Sequence, residues 1–378
     1  MSLSTEEQIR YSRHFNLPNF GVKAQEKLKN AKVLVVGAGG LGSPLLLYLA
    51  AAGIGHIGII DDDIIDLSNL QRQVLYSEEQ IGQPKTSTAA QRIHALNPNV
   101  GIITYEGRLT TENALEIIKD YDVVADGTDN FPTRYLVNDA CVILNVINVY
   151  ASIYQYEGQV SVFNYPLVEG TRGPHYRDLF PTPPEPGLVP DCATGGVLGV
   201  MAGIVGSYQA LEVIKCIVGI GQPLIGKLLI FDALSSSSRT LKFKKTYTAE
   251  ISELINYEDF CGVGTKNNKQ EMSAIREITV HDLQEWKESG KDFQLIDVRE
   301  QHEIEFATIG GEHIVLSDLL ARQAEVEDEK EVVIMCRSGQ RSAAAVNALQ
   351  QQGFDNLYNL KGGITAWSKE IDPSIPTY

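Results

Sequence analysis

The chain has 378 residues, 43% of them hydrophobic, and a formal net charge of −16. That length supports two or three domains, each with a core of its own. The negative charge argues against nonspecific nucleic-acid or anionic-membrane binding, so a basic pocket in such a chain needs a local cause.

The opening stretch MSLSTEEQIRYSRHF has no apolar run, so no signal peptide is expected. Five cysteines (Cys141, Cys192, Cys216, Cys261, Cys336) without paired spacing point to a reducing, cytoplasmic setting. Residues 5–30 read as one or two polar helices ending at Asn30; on residue type alone, Arg10 and Arg13 belong to a solvated face. Then comes AKVLVVGAGGLGS, residues 31–43. An apolar strand meets Gly37, Gly39 and Gly42 in G-x-G-x-x-G spacing, and an apolar helix follows. Such glycines allow a tight turn whose backbone N–H groups approach a phosphate at a helix N-terminus. A second apolar strand, HIGII, ends beside Asp61, placed to accept hydrogen bonds from ribose hydroxyls. The pattern is a mononucleotide-binding βαβ unit. It does not specify the nucleotide.

Strand and helix signals alternate to about residue 165 through VGIITYEG, DVVADG, VINVYASI and QVSVFNY, with helical stretches at 43–52, 84–96, 111–119 and 131–144. The alternation predicts the α/β class: a doubly wound, mostly parallel, Rossmann-like sheet with helices on both faces. Residues 165–191 hold seven prolines and read as a long functional loop. The uncharged stretch Cys192 to Leu211 approaches a membrane span in length, but its glycines favour a helix packed in a soluble core, with no membrane partner. KLLIFDALSSSSRTLKFKK reads as an antiparallel hairpin. The polar run TKNNKQEMSAI marks a linker at 266–275, between a domain of residues 1–265 and a smaller α/β domain of residues 276–378.

In the first domain, charged residues fall at the carboxyl ends of predicted strands, where doubly wound sheets bind ligands. Asp61 is followed by Asp62, Asp63 and LSNLQRQ, with Ser68, Asn69 and Arg72; Lys85 opens a helix, and DGTDN places Asp126, Asp129 and Asn130 after the fourth strand. A nicotinamide dinucleotide gives no reason for an Arg, a Lys and a second acid at this place. A triphosphate does, since cations neutralise phosphoryl oxygens and a carboxylate holds Mg²⁺. There is no G-x-x-x-x-G-K-[ST], so this is not a P-loop enzyme. An NAD-dependent oxidoreductase and a non-catalytic carrier-binding scaffold are the alternatives to an ATP-using enzyme.

GAGGLGS, the acid at Asp61, SNLQRQ, Lys85, DGTDN and VPDCATGGVLG together resemble the ThiF/MoeB/HesA adenylyltransferases, relatives of ubiquitin-activating enzymes, over roughly residues 5–262. The resemblance implies that ATP adenylates the C-terminal glycine of a ubiquitin-like sulfur carrier ending in Gly-Gly. By position it sets Gly40 under the phosphates and Asp61 on the ribose. Asn69, Arg72 and Lys85 would contact the triphosphate, Asp129 would hold Mg²⁺, and Ser68 and Asn130 would belong to the same pocket. Arg13 would reach the phosphates from the other subunit of a homodimer, which overrides its surface reading. Many relatives bind structural zinc through two C-x-x-C pairs. Here His175, Asp178 and Cys261 stand near those places without the spacing, so no zinc is expected. Cys192 matches a cysteine that in some relatives bonds the carrier's C-terminus; the alternative is a buried small residue before a helix.

In the second domain, VVIMCRSGQRSAAA puts Cys336 at a strand end, in a loop leading straight into a helix. N–H groups curling round the sulfur would favour a terminal persulfide anion, with Arg337 and Arg341 adding positive charge. With LIDVRE and LKGGITAW, the segment resembles a rhodanese domain over 276–378, departing from it at EFATIGGEHIVLSDL. The C-x4-R spacing suits sulfur transfer rather than the phosphate-ester attack of the longer C-x5-R loop. The combined expectation is a two-activity enzyme. Cys336 takes sulfane sulfur from a donor such as a cysteine desulfurase and passes it to the acyl-adenylate, giving a thiocarboxylate for molybdopterin, thiamine or tRNA-thiolation chemistry.

Overall fold

A computed structural model describes residues 2–184, 196–262 and 275–376. The chain divides into two compact units, Met1–Thr265 and Lys266–Tyr378. The expected linker at 266–275 lies almost wholly outside the described residues.

In the first unit the apolar run Lys32–Val36 forms strand β1 in the middle of an eight-stranded sheet. Val33, Leu34 and Val35 are fully buried because helices cover both faces, which is why the strand is continuously apolar rather than alternating. Strands β2 (His56–Asp61), β3 (Gly101–Glu106), β4 (Val123–Asp126) and β5 (Ile147–Tyr154) run parallel to β1. The strand order β3-β2-β1-β4-β5 reverses at β1, so the crevice between the ends of β1 and β4 is the switch point where such sheets bind ligands.

Beyond β5 the mostly parallel sheet acquires an antiparallel edge. β6 (Glu157–Phe163) pairs antiparallel with β5, because Tyr154 opposes Glu157 across the two-residue turn Gln155-Tyr156. A connection that short permits no crossover. β7 (Lys227–Asp232) and β8 (Ser237–Lys242) complete the edge as the expected antiparallel hairpin.

The expected helices form at Gly42–Ala52, Lys85–Leu96, Ala114–Ile118 and Phe131–Ile143, while the N-terminal region folds into three, Thr5–Arg10, Ser12–Phe15 and Gly21–Asn30. The Gly-rich helix Gly199–Val218 is long and apolar enough to cross a membrane. In this fold it packs on the helix Gly42–Ala52 and on β5 and β6. Its buried Gln209 donates to the carbonyls of Asp126 (2.7 Å) and Val149 (2.9 Å), which ties it to the end of β4 and to β5.

The second unit is a five-stranded, all-parallel sheet of order β11-β10-β12-β13-β9. Its strands are β9 (Arg276–Ile278), β10 (Phe293–Asp297), β11 (Glu312–His313), β12 (Glu331–Met335) and β13 (Leu357–Leu360). Alternate residues feed two cores: Val332 and Ile334 on one face, Val333 and Met335 with Trp367 on the other. Helices Val280–Glu288, Gln301–Phe306, Gln340–Gln350 and Gly363–Glu370 supply the covering layers.

Candidate active site

The glycine turn begins where β1 ends. Gly37 has φ +92°, and a side chain on Gly42 would place its Cβ 2.1 Å from the Gly37 carbonyl oxygen, so the turn and the first helical residue close on each other only without side chains. Ala38, inside the turn, is held from both sides. Its N–H donates to Asp61 Oδ2 at 2.7 Å, and its carbonyl accepts from the Tyr76 hydroxyl at 2.8 Å. Asp61 Oδ1 accepts from the Asp63 N–H at 2.8 Å. Asp61 therefore shapes the turn as well as facing the crevice, and burial pushes its carboxyl above the ordinary value against these two bonds.

A cavity of about 1040 Å³ opens at the carboxyl ends of β1, β2 and β4. Gly37, Gly39, Gly40 and Asp61 line it from one side, Asn69, Arg72 and Lys85 from a second, and Asp129 and Asn130 from the third. A Cβ on Gly40 would meet Arg72 Cγ at 3.5 Å, so the arginine stem lies against the glycine turn. The Arg72 guanidinium is steered by its Nη1–H bond to the Ser68 carbonyl at 3.0 Å.

Lys85 is 3% exposed, yet its Nζ reaches Asp63 Oδ2 at 2.8 Å. Asp62 is paired with Arg108 at 2.6 Å. The three acids Asp61, Asp62 and Asp63 gather within 4.8 Å, but two of them are thus charge-compensated. Asp129, by contrast, is an exposed carboxylate without a partner among the described residues. An open oxygen donor on the wall of a cavity holding Arg72 and Lys85 fits a hard divalent cation bound beside phosphates.

Two expected residues, Ser68 and Arg13, sit elsewhere. Ser68 is absent from the cavity wall; its hydroxyl donates to Asp66 Oδ1 at 2.6 Å, and its contribution is the carbonyl that holds Arg72. Arg13 lies exposed on the helix Ser12–Phe15, away from this cavity and without a partner among the described residues. Cys192 lies outside the described residues. Asn130 has a second task, since its Oδ1 caps the helix Phe131–Ile143 by accepting from the Thr133 N–H at 3.0 Å.

His175 and Asp178, near the zinc positions of the resemblance, belong to a hydrogen-bonded cluster. Asp178 Oδ1 accepts from the N–H groups of Thr246 and Tyr247 at 2.6 Å each, and Oδ2 accepts from the His175 N–H at 2.8 Å. Next to them Arg177 forms a buried two-point pair with Asp139 (2.9 and 2.7 Å), and Asp139 also accepts from the Tyr257 hydroxyl at 2.8 Å.

In the second unit Cys336 follows β12 and is 1% exposed. Its Sγ accepts from the Gly339 N–H at 3.2 Å, and the Ser342 hydroxyl lies 3.3 Å away. LKGGITAW buttresses this loop. The N–H groups of Ile364 and Thr365 donate to the carbonyls of Cys336 and Arg337 at 2.9 and 3.1 Å, and a Cβ on Gly363 would fall 2.2 Å from the Cys336 carbonyl. The positive charge expected from Arg341 is compensated: its guanidinium is held by Glu303 at 2.6 and 2.7 Å.

Comparison with known proteins matches the ThiF family to residues 11–250 and the Rhodanese-like domain to residues 279–370. A probable adenylyltransferase/sulfurtransferase MoeZ of Mycobacterium tuberculosis is 46% identical over 381 residues, covering 100% of this chain and 97% of that protein. A sulfur carrier protein adenylyltransferase of Thermus thermophilus is 51% identical over 270 residues, 70% of this chain and 100% of that protein. The crystal structure of E. coli MccB superposes with a TM-score of 0.57 at 24% identity, covering 67% of this chain and 74% of that one, which is a likeness of fold.

Proposed function

Since this chain belongs to the ThiF family and is an adenylyltransferase and sulfurtransferase, we propose that it charges the C-terminal glycine of a ubiquitin-like sulfur carrier with AMP from magnesium ATP, then replaces the AMP with sulfur carried on Cys336. The observation that carries the reading is the convergence of Asp61, Arg72, Lys85 and Asp129, with the glycine turn, on one cavity.

Arg72 and Lys85 would lie against the triphosphate oxygens and neutralise the charge that grows on departing pyrophosphate. The attacking carrier carboxylate is already ionised at neutral pH, so no general base is needed and positioning does most of the work. Asp129 would hold Mg²⁺, which when bound supplies further charge neutralisation at the phosphoryl oxygens. We infer that the chain works without structural zinc. What supports this is that Asp178's carboxylate is already occupied by three backbone N–H groups. Metal analysis finding one zinc per purified chain would overturn it.

In the sulfur step, the terminal sulfur of a Cys336 persulfide attacks the acyl carbon and AMP leaves. An external dithiol, as reductant, then attacks the resulting acyl disulfide at the Cys336 sulfur. The carrier departs as a thiocarboxylate with one proton released, and the second thiol of the reductant restores the Cys336 thiol. The persulfide itself comes from a donor of the cysteine-desulfurase kind. Arg13, exposed and without a partner among the described residues, suits a homodimer in which it completes the neighbouring subunit's cavity. Carriers of the molybdopterin, thiamine or tRNA-thiolation type, in the cytoplasm, are the proposed setting. Incubation of the full chain with ATP and each Gly-Gly-ended carrier, read by pyrophosphate exchange and by the mass of the carrier, tests the reading. Exchange with none of them would overturn it.

A further inference from the structure

Gln73 follows Arg72 in a polar motif, where a glutamine ordinarily faces water. Instead it is 3% exposed and lines the cavity. Its backbone is fixed on both sides: its N–H donates to the Asn69 carbonyl at 2.9 Å, and its carbonyl accepts from the Tyr76 N–H at 3.2 Å. The side chain is therefore delivered to one place by the same short segment that delivers Arg72.

Its amide is unpaired. Oε1 is fully buried without a hydrogen-bond partner, and Nε2 has no bond among the described residues either. The nitrogen lies beside the glycine turn, where a Cβ added to Gly39 would stand 3.6 Å from it. The two ends of the amide ask for different partners: Oε1 calls for a donor, while the Nε2–H groups call for an acceptor. Nε2, on the wall of the cavity beside Gly39, is the end placed where the turn is shaped for phosphate, whose oxygens are acceptors.

We propose that Gln73 is a further nucleotide-binding residue, whose Nε2–H donates to a phosphoryl oxygen of ATP beside Arg72. This rests on the adenylyltransferase reading of the same cavity. Arg72 and Lys85 bring charge that any polyanion would satisfy, while Gln73 brings a neutral donor of fixed direction. It contributes placement of the phosphate chain rather than bulk attraction. A neutral donor leaves the net charge of the cavity unchanged, so its loss weakens phosphate-bearing ligands and spares adenosine.

The test compares full-length wild type with Gln73→Met and Gln73→Glu, measuring dissociation constants for ATP, AMP and adenosine by calorimetry, pyrophosphate exchange, and thermal unfolding. The proposal expects Gln73→Met to weaken ATP by about tenfold or more, as for a lost hydrogen bond to a charged group. Adenosine binding and the unfolding temperature should stay near wild type, and Gln73→Glu should bind ATP more weakly still because its carboxylate repels phosphate. Equal ATP affinity in wild type and Gln73→Met, or equal weakening of ATP and adenosine, overturns the proposal. Wild type that neither binds ATP nor exchanges pyrophosphate overturns the underlying activity instead.

Discussion

Arg341 and Glu303 meet in a two-point ion pair, Nη1 to Oε2 at 2.6 Å and Nη2 to Oε1 at 2.7 Å, with the Glu303 side chain only 2% exposed. The pair ties the helix that follows Cys336 to the helix Gln301–Phe306. Glu303 Oε2 also accepts the Glu300 N–H at 2.9 Å, so one carboxylate caps one helix and anchors another. Cutting a buried pair on one side leaves an uncompensated charge. Glu303→Ala should destabilise the second unit by about 3 kcal/mol or more in denaturant unfolding, while pyrophosphate exchange by the first unit is retained. Unfolding unchanged within error would show that the pair carries no structural weight.

Lys85 and Asp63 form an unequal pair: the lysine side chain is 4% exposed and the aspartate 65%. Removing the lysine leaves Asp63 in water, where it needs no partner, so Lys85→Ala should cost little stability. Exchange should nevertheless fall by about 10²-fold or more, as when a preorganised charge facing a transition state is lost. Asp129→Ala should fall similarly, and raising the magnesium concentration should recover part of that loss but none of the Lys85→Ala loss. Fully active variants, read by carrier-dependent pyrophosphate exchange, would remove these assignments.

Much of the first unit is legible in sequence because its signals are local. β1, the turn at Gly37 and the acid closing β2 lie within one βαβ unit, and strand and helix periods there are unmixed. The antiparallel pairing of β5 and β6 is not legible. Its turn is Gln155-Tyr156, and Gln155 adopts φ +51° without the glycine or asparagine that ordinarily signals a tight hairpin. Gln73 escapes notice because residue type says solvated and only the packing says buried. Glu303 escapes because nothing in the local pattern links it to Arg341, far along the chain. The residues that were foreseen announce themselves through spacing. Those that were not depend on contacts between distant segments.

Cys336 is enclosed by the Gly339 N–H, the Ser342 hydroxyl and the buttress from Gly363 to Thr365. None of these groups belongs to the unit that holds the nucleotide cavity. Cys336→Ala should therefore leave pyrophosphate exchange intact and abolish thiocarboxylate formation, read as the loss of the +16 Da product expected when sulfur replaces oxygen. Gly363→Ala should weaken sulfur transfer by crowding the Cys336 carbonyl, 2.2 Å from the new Cβ. A Cys336→Ala enzyme that still produces thiocarboxylate at the normal rate would mean that sulfur bypasses this loop.

His175 supplies a pH dependence. It is 4% exposed, its Nδ1 has no hydrogen-bond partner, and Nε2 is 3.6 Å from Asp178 Oδ2. Burial lowers its pKa below the ordinary 6.5, with Asp178 opposing the shift and Lys245 adding to it. The folded state thus holds the ring neutral where the unfolded chain would already protonate it. Linkage then makes the unfolded state bind more protons as pH falls through 6.5 toward the lowered folded value. This residue's contribution is complete above that window and is lost within it. Unfolding free energy measured by denaturant at a series of pH values should decline across the window in wild type. In His175→Leu, which cannot take up the proton, the decline should be shallower. Parallel curves for the two proteins would show that this imidazole does not couple folding to pH.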